Sequence, residues 1–120
     1  MRYHPMTTEL IRCSGRKARD YGHSYVGSAH LLVALVGQSG EAGQLLRGFG
    51  MDPELVGAMT QLLYGAGKPD LPLPQGLTEE ARAILRTAAR EAKHQNCREI
   101  RPIHVLMAMA RQAERIPGNC

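Results

Sequence analysis

The 120-residue chain has no tryptophan, one phenylalanine and four tyrosines, so few aromatic rings are available for its interior. Hydrophobic residues nevertheless make up 43% of the sequence, and most of them are Leu, Ile, Val, Ala and Met. An aliphatic composition of this kind favours helices over strands. We therefore expect an all-α protein of a single domain, because a chain of this length is too short for two large cores.

Long apolar runs are also absent. No segment approaches the roughly 18 to 20 residues that span a bilayer, and the first residues lead into no signal-peptide core. The three cysteines, Cys13, Cys97 and Cys120, have no framework spacing, which is typical of reduced thiols. These absences predict a cytoplasmic protein without a membrane partner.

Motifs for chemistry are equally scarce. The sequence has no Gly-x-x-x-x-Gly-Lys-Ser/Thr motif for nucleotide phosphates, and no nucleophile, base and orienting group can be placed together from their spacing. His94 and Cys97 form one mixed pair, without the matching second pair that zinc sites present. We accordingly predict no catalytic residues, no cofactor and no metal.

The charge is modest and dispersed, with a net value of +4 and no run of five like charges. One basic stripe recurs at helical spacing and consists of Arg82, Arg86, Arg90 and Lys93. Such a stripe is usually the solvated face of an amphipathic helix, and Glu79, Glu80 and Glu91 interrupt its field. A small basic helical protein that binds nucleic acid therefore stays an alternative hypothesis, and a nucleic-acid partner is not the main expectation.

An internal repeat with a constant offset of 74 residues organises the chain. The segment 22–32, Gly-His-Ser-Tyr-Val-Gly-Ser-Ala-His-Leu-Leu, has a weaker copy at 96–106. Identical residues at that offset include Arg12 and Arg86, Ala18 and Ala92, His30 and His104, and Ala34 and Ala108. The pattern predicts two copies of one helical unit. We expect repeat one at about 3–64, a linker at 65–76 and a partial repeat two at 77–120.

Apolar periodicity and capping residues predict four helices in repeat one. The first covers 7–21 and ends at Gly22 in a left-handed conformation, and Ser28 is the expected N-cap of the second. The third carries Leu45, Leu46 and Phe49 and stops at Gly50. The fourth starts with Asp52 as N-cap and Pro53 as first helical residue. Its predicted inner face consists of Leu55, Val56, Met59, Leu62 and Leu63.

Repeat two is predicted to contain two helices. Thr78 caps the fifth helix, which buries Ala81, Ile84, Leu85, Ala88 and Ala92. Pro102 opens the sixth, with Val105, Leu106 and Met109 inward. Counterparts of helices three and four would need residues to about 138. We therefore expect the apolar face of helices five and six to be covered by the first unit or by a second copy in a homodimer, unless the chain is part of a longer protein.

The linker, with three Gly and three Pro, is incompatible with a helix and is expected to tuck Leu71 and Leu73 against the surface.

His30 and His104 lie at equivalent places near the start of helices two and six. We expect each ring to bond a backbone group and so to fix the loop before its helix.

These residues resemble the Clp repeat domain at the N-terminus of ClpA-, ClpB- and ClpC-type AAA+ unfoldases. The family unit has an aromatic-Thr start, a helix with two adjacent aliphatic residues and two spaced alanines, a Gly-His pair, a Gly-Thr-Glu-His box and a Leu-Leu pair. The corresponding residues are Gly22, His23, Gly27, His30, Leu31 and Leu32 in the first copy, and Thr78, Ile84, Leu85, Ala88, Ala92 and His104 in the second. The resemblance covers about residues 3 to 115.

The resemblance implies a pseudo-two-fold helical bundle, with the second repeat incomplete, that has no catalytic residues. It implies binding of substrate polypeptides or adaptors for a Clp-type ATP-dependent unfoldase or protease. In some family members the Glu of each box contacts phosphorylated arginine, and those positions are Ala29 and Ile103 here. Phosphoarginine recognition of that type is therefore not expected. The candidate peptide-binding residues that follow from the resemblance are Ala29, Thr78, Glu79 and Ile103.

Overall fold

The computed structural model of the chain describes residues 1–65 and 76–114, and this part contains six α-helices. They are α1 (Pro5–Asp20), α2 (Ser28–Gly37), α3 (Glu41–Gly48), α4 (Pro53–Tyr64), α5 (Glu79–His94) and α6 (Pro102–Glu114). Two short strands, β1 (Arg2–Tyr3) and β2 (Glu99–Ile100), pair in parallel. The predicted all-α class is confirmed. The linker residues Leu71 and Leu73, and Cys120, lie outside the described residues.

The backbone repeats with the same offset as the sequence. α1 and α5 both have 16 residues and begin 74 positions apart, and α2 and α6 also begin 74 positions apart. After the first helix of each pair comes a left-handed residue, Gly22 with φ 74° and Asn96 with φ 59°. Glycine adopts this conformation freely and asparagine more readily than most residues. The predicted duplication of the helix pair is confirmed.

Each unit makes the same backbone hydrogen bond to the other. In one direction the His4 N–H donates to the Ile100 carbonyl at 2.9 Å, beside the pairing of β1 with β2. With the units exchanged, the Thr78 N–H donates to the Val26 carbonyl, also at 2.9 Å. The loop before the second helix of each unit is thus attached to the start of the first helix of the other. This reciprocity is the pseudo-two-fold relation that the repeat predicts.

Both units share one aliphatic core. Leu10 of α1 and Leu31 and Leu35 of α2 pack in the same cluster as Ile84 of α5 and Val105 of α6. The predicted inner residues of α5, Ala81, Ile84, Leu85, Ala88 and Ala92, are all buried. In α6, Val105 is buried, and Leu106 and Met109 pack against the core from half-buried positions. The first unit therefore covers the apolar face of α5, so this face needs no second copy.

The predicted inner face of α4 is wrong. Leu55, Met59, Leu62 and Leu63 are exposed, whereas Gly57 and Thr60 are the buried residues of this helix and Val56 is half-buried. α4 packs on α2, and a small residue is required at Gly57 because a side chain there would meet the hydroxyl of Tyr21, at the end of α1, at 2.5 Å. Both faces of α4 carry apolar residues, and periodicity alone cannot tell which face meets a neighbour.

Helix ends bring further corrections. Asp52 and Pro53 open α4, and Thr78 caps α5, as predicted. The N-cap of α2, however, is Gly27, and Ser28 is its first helical residue. The first helix begins at Pro5, two residues before its predicted start, because the His4 ring nitrogen Nδ1 accepts the Met6 N–H at 3.0 Å. The predicted residues of the third helix divide: Leu46 packs against the core, whereas Leu45 and Phe49 are exposed.

Candidate functional site

A cleft of about 560 Å³ opens where the two units meet. Its first wall is the segment 22–30, which we call the cleft loop and which includes the first turn of α2. The other walls are the end of α4 at Tyr64 and Gly65 and the start of α5 at Thr78 and Glu80. The reciprocal backbone contact between the loop and α5 holds two of these walls together. The volume lies within the range of clefts that bind small ligands or single side chains of a peptide, about 300 to 1,000 Å³.

Two histidines form a hydrogen-bonded chain in this cleft. The Gly27 N–H donates to Nδ1 of His30 at 2.9 Å, so the proton of the neutral His30 ring lies on Nε2. His30 Nε2 is 2.7 Å from Nδ1 of His23, and Nε2 of His23 is 2.6 Å from the Gly65 carbonyl oxygen. One assignment satisfies every contact: His30 donates to His23, and His23 donates to Gly65. Both rings are then neutral, and together they tie the cleft loop to the end of α4.

The surroundings of His30 keep its ring uncharged. Burial lowers the pKa of His30 from 6.5 to about 4, and the neighbouring His23 contributes in the same direction. The Tyr21 ring lies near both imidazoles, with centroids 5.9 Å from His23 and 6.1 Å from His30. At physiological pH this part of the cleft therefore presents an uncharged His30 ring beside the rings of His23 and Tyr21.

The carboxylate in the cleft belongs to Glu80. Glu80 lies in the first turn of α5, and its oxygen Oε1 accepts a hydrogen bond from the Ser28 hydroxyl. Ser28 is the first residue of α2, so this bond joins the starts of two helices from different units across the cleft. Tyr25 and Tyr64, which are 48% and 65% exposed, add two rings to the lining. The cleft thus offers one acid, hydroxyl groups and aromatic surface to a ligand.

The predicted site residues divide into two groups. Ala29 and Thr78 lie in the cleft, whereas Glu79 is not among its lining residues. Glu79 instead forms ion pairs with Arg82 and Arg86, and the hydrogen bond from Arg86 is the main reason why its pKa is lowered. Ile103 lies in a different pocket.

That second pocket is the pseudo-symmetric counterpart of the cleft and has about 70 Å³. At the offset of 74 residues, Ser28, Ala29, Thr78 and Glu80 correspond to Pro102, Ile103, His4 and Met6, all of which line it. Polar or small residues on one side are thus replaced mainly by bulkier apolar ones on the other. The pair of sites implied by the repeat is unequal, and one of them is largely filled.

His104 makes the same hydrogen bond to the loop backbone as His30. Its Nδ1 accepts the Arg101 N–H at 2.8 Å, as His30 accepts the Gly27 N–H, and burial lowers its pKa. The prediction that each ring fixes the loop before its helix is therefore confirmed. The residue that corresponds to His23 is Cys97, so the chain of two imidazoles exists in the first copy alone.

Sequence reasoning missed Glu80 and Tyr64 as cleft residues. The signal for Glu80 was available, because a two-fold relation brings the loop of one unit to the first turn of the other. The signal for Tyr64 was not, because the direction in which α4 faces was predicted wrongly.

Other functions find little support in the described residues. Residues 1–65 and 76–114 contain no cluster of three or more His, Cys, Asp or Glu side chains that could hold a metal ion. Within the same ranges, no helix has the length and apolar character needed to cross a membrane. In the basic stripe, Arg82 and Arg86 both pair with Glu79, whose single negative charge offsets one of their two positive charges and weakens the attraction of the stripe to nucleic acid.

Comparison with solved structures supports the fold. The chain superposes on the N-terminal domain of the caseinolytic protease-associated chaperone ClpD from Arabidopsis thaliana with a TM-score of 0.73 and 17% identity, covering 90% of this chain and 76% of that one. The Hsp104 N-terminal domain from Candida albicans gives a TM-score of 0.69 and 16% identity, covering 90% and 73%. At these identities the likeness concerns the fold alone.

Sequence comparison is more specific. The chain is 25% identical over 119 residues to a ClpA homolog, an ATP-dependent Clp protease ATP-binding subunit, from Porphyra purpurea, and 24% identical to the chloroplastic chaperone protein ClpC2 of Arabidopsis thaliana. Each alignment covers 98% of this chain but 14% and 12% of the respective relative. The family model of the Clp repeat (R) N-terminal domain matches residues 2–116. The chain therefore belongs to the Clp repeat N-terminal domain family.

Proposed function

We propose that the chain is a non-enzymatic, cytoplasmic recognition module that binds a segment of unfolded polypeptide or an adaptor in the cleft between the loop 22–30 and α5. The observation that carries the proposal is the open cleft of about 560 Å³ at the contact between the units, opposite a filled counterpart of about 70 Å³. In this proposal the chain forms one domain, with repeat one at about 3–64, a linker at 65–76 and partial repeat two at 77–120.

The chemistry of the cleft supports a peptide ligand. Its hydroxyl groups and the Glu80 carboxylate can accept hydrogen bonds from backbone or side-chain N–H groups, and its tyrosine rings can pack on apolar side chains. Ala29, where the other copy has isoleucine, leaves space beside the start of α2. The predicted residues Ala29 and Thr78 therefore stay in the proposed site, and Glu80 replaces Glu79 in it.

A pair of variants tests the cleft directly. The Ala29→Ile substitution places in the cleft the side chain that its counterpart carries, and Ile103→Ala makes the reverse change in the filled pocket. We expect the chain to bind a fluorescently labelled, permanently unfolded polypeptide, such as reduced and carboxymethylated α-lactalbumin, in a fluorescence anisotropy titration. Ala29→Ile should weaken that binding by at least about tenfold, whereas Ile103→Ala should leave it nearly unchanged.

Chemical-shift mapping on the ¹⁵N-labelled chain locates the binding. The amide signals of Gly22, Gly27 and Thr78 should move on addition of the unfolded polypeptide. Binding that leaves these signals in place, or that Ala29→Ile does not affect, would contradict the proposed site. No binding of either an unfolded polypeptide or a Clp adaptor would contradict the function itself.

The connection to a Clp machine requires a separate experiment. If the chain recognises the same polypeptides as a Clp ATPase, an excess of the chain should slow degradation of a labelled unfolded protein by a reconstituted Clp ATPase and protease. Ala29→Ile should remove the inhibition. Unchanged degradation at a concentration where the chain is saturated with the polypeptide would argue against shared substrates.

A further inference from the structure

The strongest exposed apolar feature within residues 1–65 and 76–114 is the outer face of α4. Seven of the ten exposed large hydrophobic side chains in the described residues fall between Leu45 and Tyr64. Within α4 they are Leu55, Met59, Leu62, Leu63 and Tyr64, exposed by 55, 51, 83, 73 and 65%. Leu55, Met59, Leu62 and Leu63 lie within about 100° of one another around the helix axis, and we call these four residues the α4 face. Tyr64 points away from this face and lines the cleft. The spacing of Leu55, Met59 and Leu62 places them along one side of a helix.

The area of the α4 face is at the upper end of what an isolated soluble protein usually exposes. At the observed exposures, the four side chains present on the order of 500 Å² of mostly apolar surface. Contiguous patches of this size mark protein contacts. Two such faces packed on each other remove on the order of 1,000 Å² from water, which is the smallest area expected of a specific interface and corresponds to a weak dimer.

We propose that the α4 face pairs with the same face of a second copy, with the two α4 helices antiparallel across a two-fold axis. Apart from Glu54 at its start, α4 has no charged side chain, so its centre is free of the charges that protein interfaces exclude. α4 is 12 residues long, or about 18 Å. The two Glu54 side chains of an antiparallel pair therefore lie at opposite ends and do not repel each other.

Packing considerations support a helix as the occupant. Ala58 is exposed beside Met59, so a small residue interrupts the ridge of large side chains and allows a second helix to approach closely. In a symmetric pair, the middle of each α4 meets the middle of the other, and Leu55 of one copy lies near Leu62 of its partner. The large residues at both ends of the face are then buried together.

Sedimentation equilibrium of the purified chain, from low micromolar to near-millimolar concentration, tests the proposal. We expect a reversible change from the 13.2 kDa monomer to twice that mass. Leu62→Glu should raise the dimer dissociation constant by at least about thirtyfold, because it places a charge in an apolar contact. Leu62 is 83% exposed in the monomer, so the substitution should leave the helical circular dichroism spectrum unchanged.

The matched control is Ala110→Glu. Ala110 is exposed on α6, at the position that corresponds to the buried Val36 of α2, so it reports on the part of repeat two that a second copy could cover instead. The Ala110→Glu substitution should leave the dimer intact. A monomer at every concentration, or a dimer that Leu62→Glu leaves intact, would overturn the proposal. A dimer broken by Ala110→Glu but not by Leu62→Glu would also overturn it and would place the interface on α6.

Discussion

Acid should destabilise the chain through His30. Burial beside His23 lowers the pKa of the folded-state ring to about 4, whereas the unfolded chain has the ordinary value near 6.5. Between these two values the unfolded chain binds a proton that the folded chain does not. Stability should therefore be unaffected by this group above pH 6.5, fall as the pH drops towards 4, and change no further below that.

The size of the effect follows from the shift. The difference between a pKa of 6.5 and one of about 4 corresponds to a loss of at most about 3 kcal/mol in the free energy of unfolding. Water in the open cleft should reduce this loss to about 1 to 2 kcal/mol. A charged His30 also carries a proton on Nδ1, towards which the Gly27 N–H points, so this hydrogen bond would be lost. Acidification should therefore loosen the cleft loop at Gly27.

Urea unfolding of the wild type and of His30→Gln, at several pH values between 7 and 4, measures this contribution. Glutamine keeps an oxygen that can accept the Gly27 N–H but does not titrate. His104 and all carboxylates are common to both proteins, so the difference between the two free energies of unfolding isolates His30. This difference should shrink by about 1 to 2 kcal/mol on acidification. A constant difference, or an NMR titration that gives His30 a pKa near 6.5, would refute the reasoning.

Two further predictions concern glycines, and urea unfolding measures both. Gly43→Ala should destabilise the chain by about 3 kcal/mol or more, because the new methyl group would lie 1.9 Å from the Gln38 carbonyl oxygen. Gly48→Ala in the same helix meets nothing within 4 Å and should be neutral or slightly stabilising, so equal effects would contradict the close approach of α3 to α2. At Gly22, with φ 74°, alanine should cost about 1 kcal/mol. Asparagine should cost less, since Asn96 adopts the equivalent conformation, and the opposite order would count against the repeat.

The helices and their duplication were predictable because several local signals agreed. The offset of 74 residues, the caps at Asp52 and Thr78 and the prolines that open α4 and α6 each depend on a few neighbouring residues. Such signals act within one turn of helix and are readable in a single sequence. The exception was α2, where the His30 ring supplies the cap and Gly27 takes the position expected for Ser28.

The orientation of α4 was not predictable from its pattern. Larger apolar residues usually face the core, but here the Tyr21 side chain lies close to the backbone of α4, so Gly57 and Thr60 are inside and Leu62 and Leu63 are outside. That choice is made by the shape of α2 and by Tyr21, which lie elsewhere in the sequence. The cleft was only partly foreseen for a related reason. Its composition depends on where α4 ends and on which residue of the first turn of α5 faces the loop.

The repeat itself separates residues that serve the fold from those that do not. Where the copies agree in the same geometry, as at His30 and His104, the residue completes a backbone contact that both units need. Where they differ, as at Ala29 and Ile103, the same backbone accepts both side chains, so the fold does not dictate the choice. The open cleft is therefore not a consequence of the architecture. It depends on the small and polar residues that the first copy and the start of α5 carry, and these are the residues through which recognition should be sought.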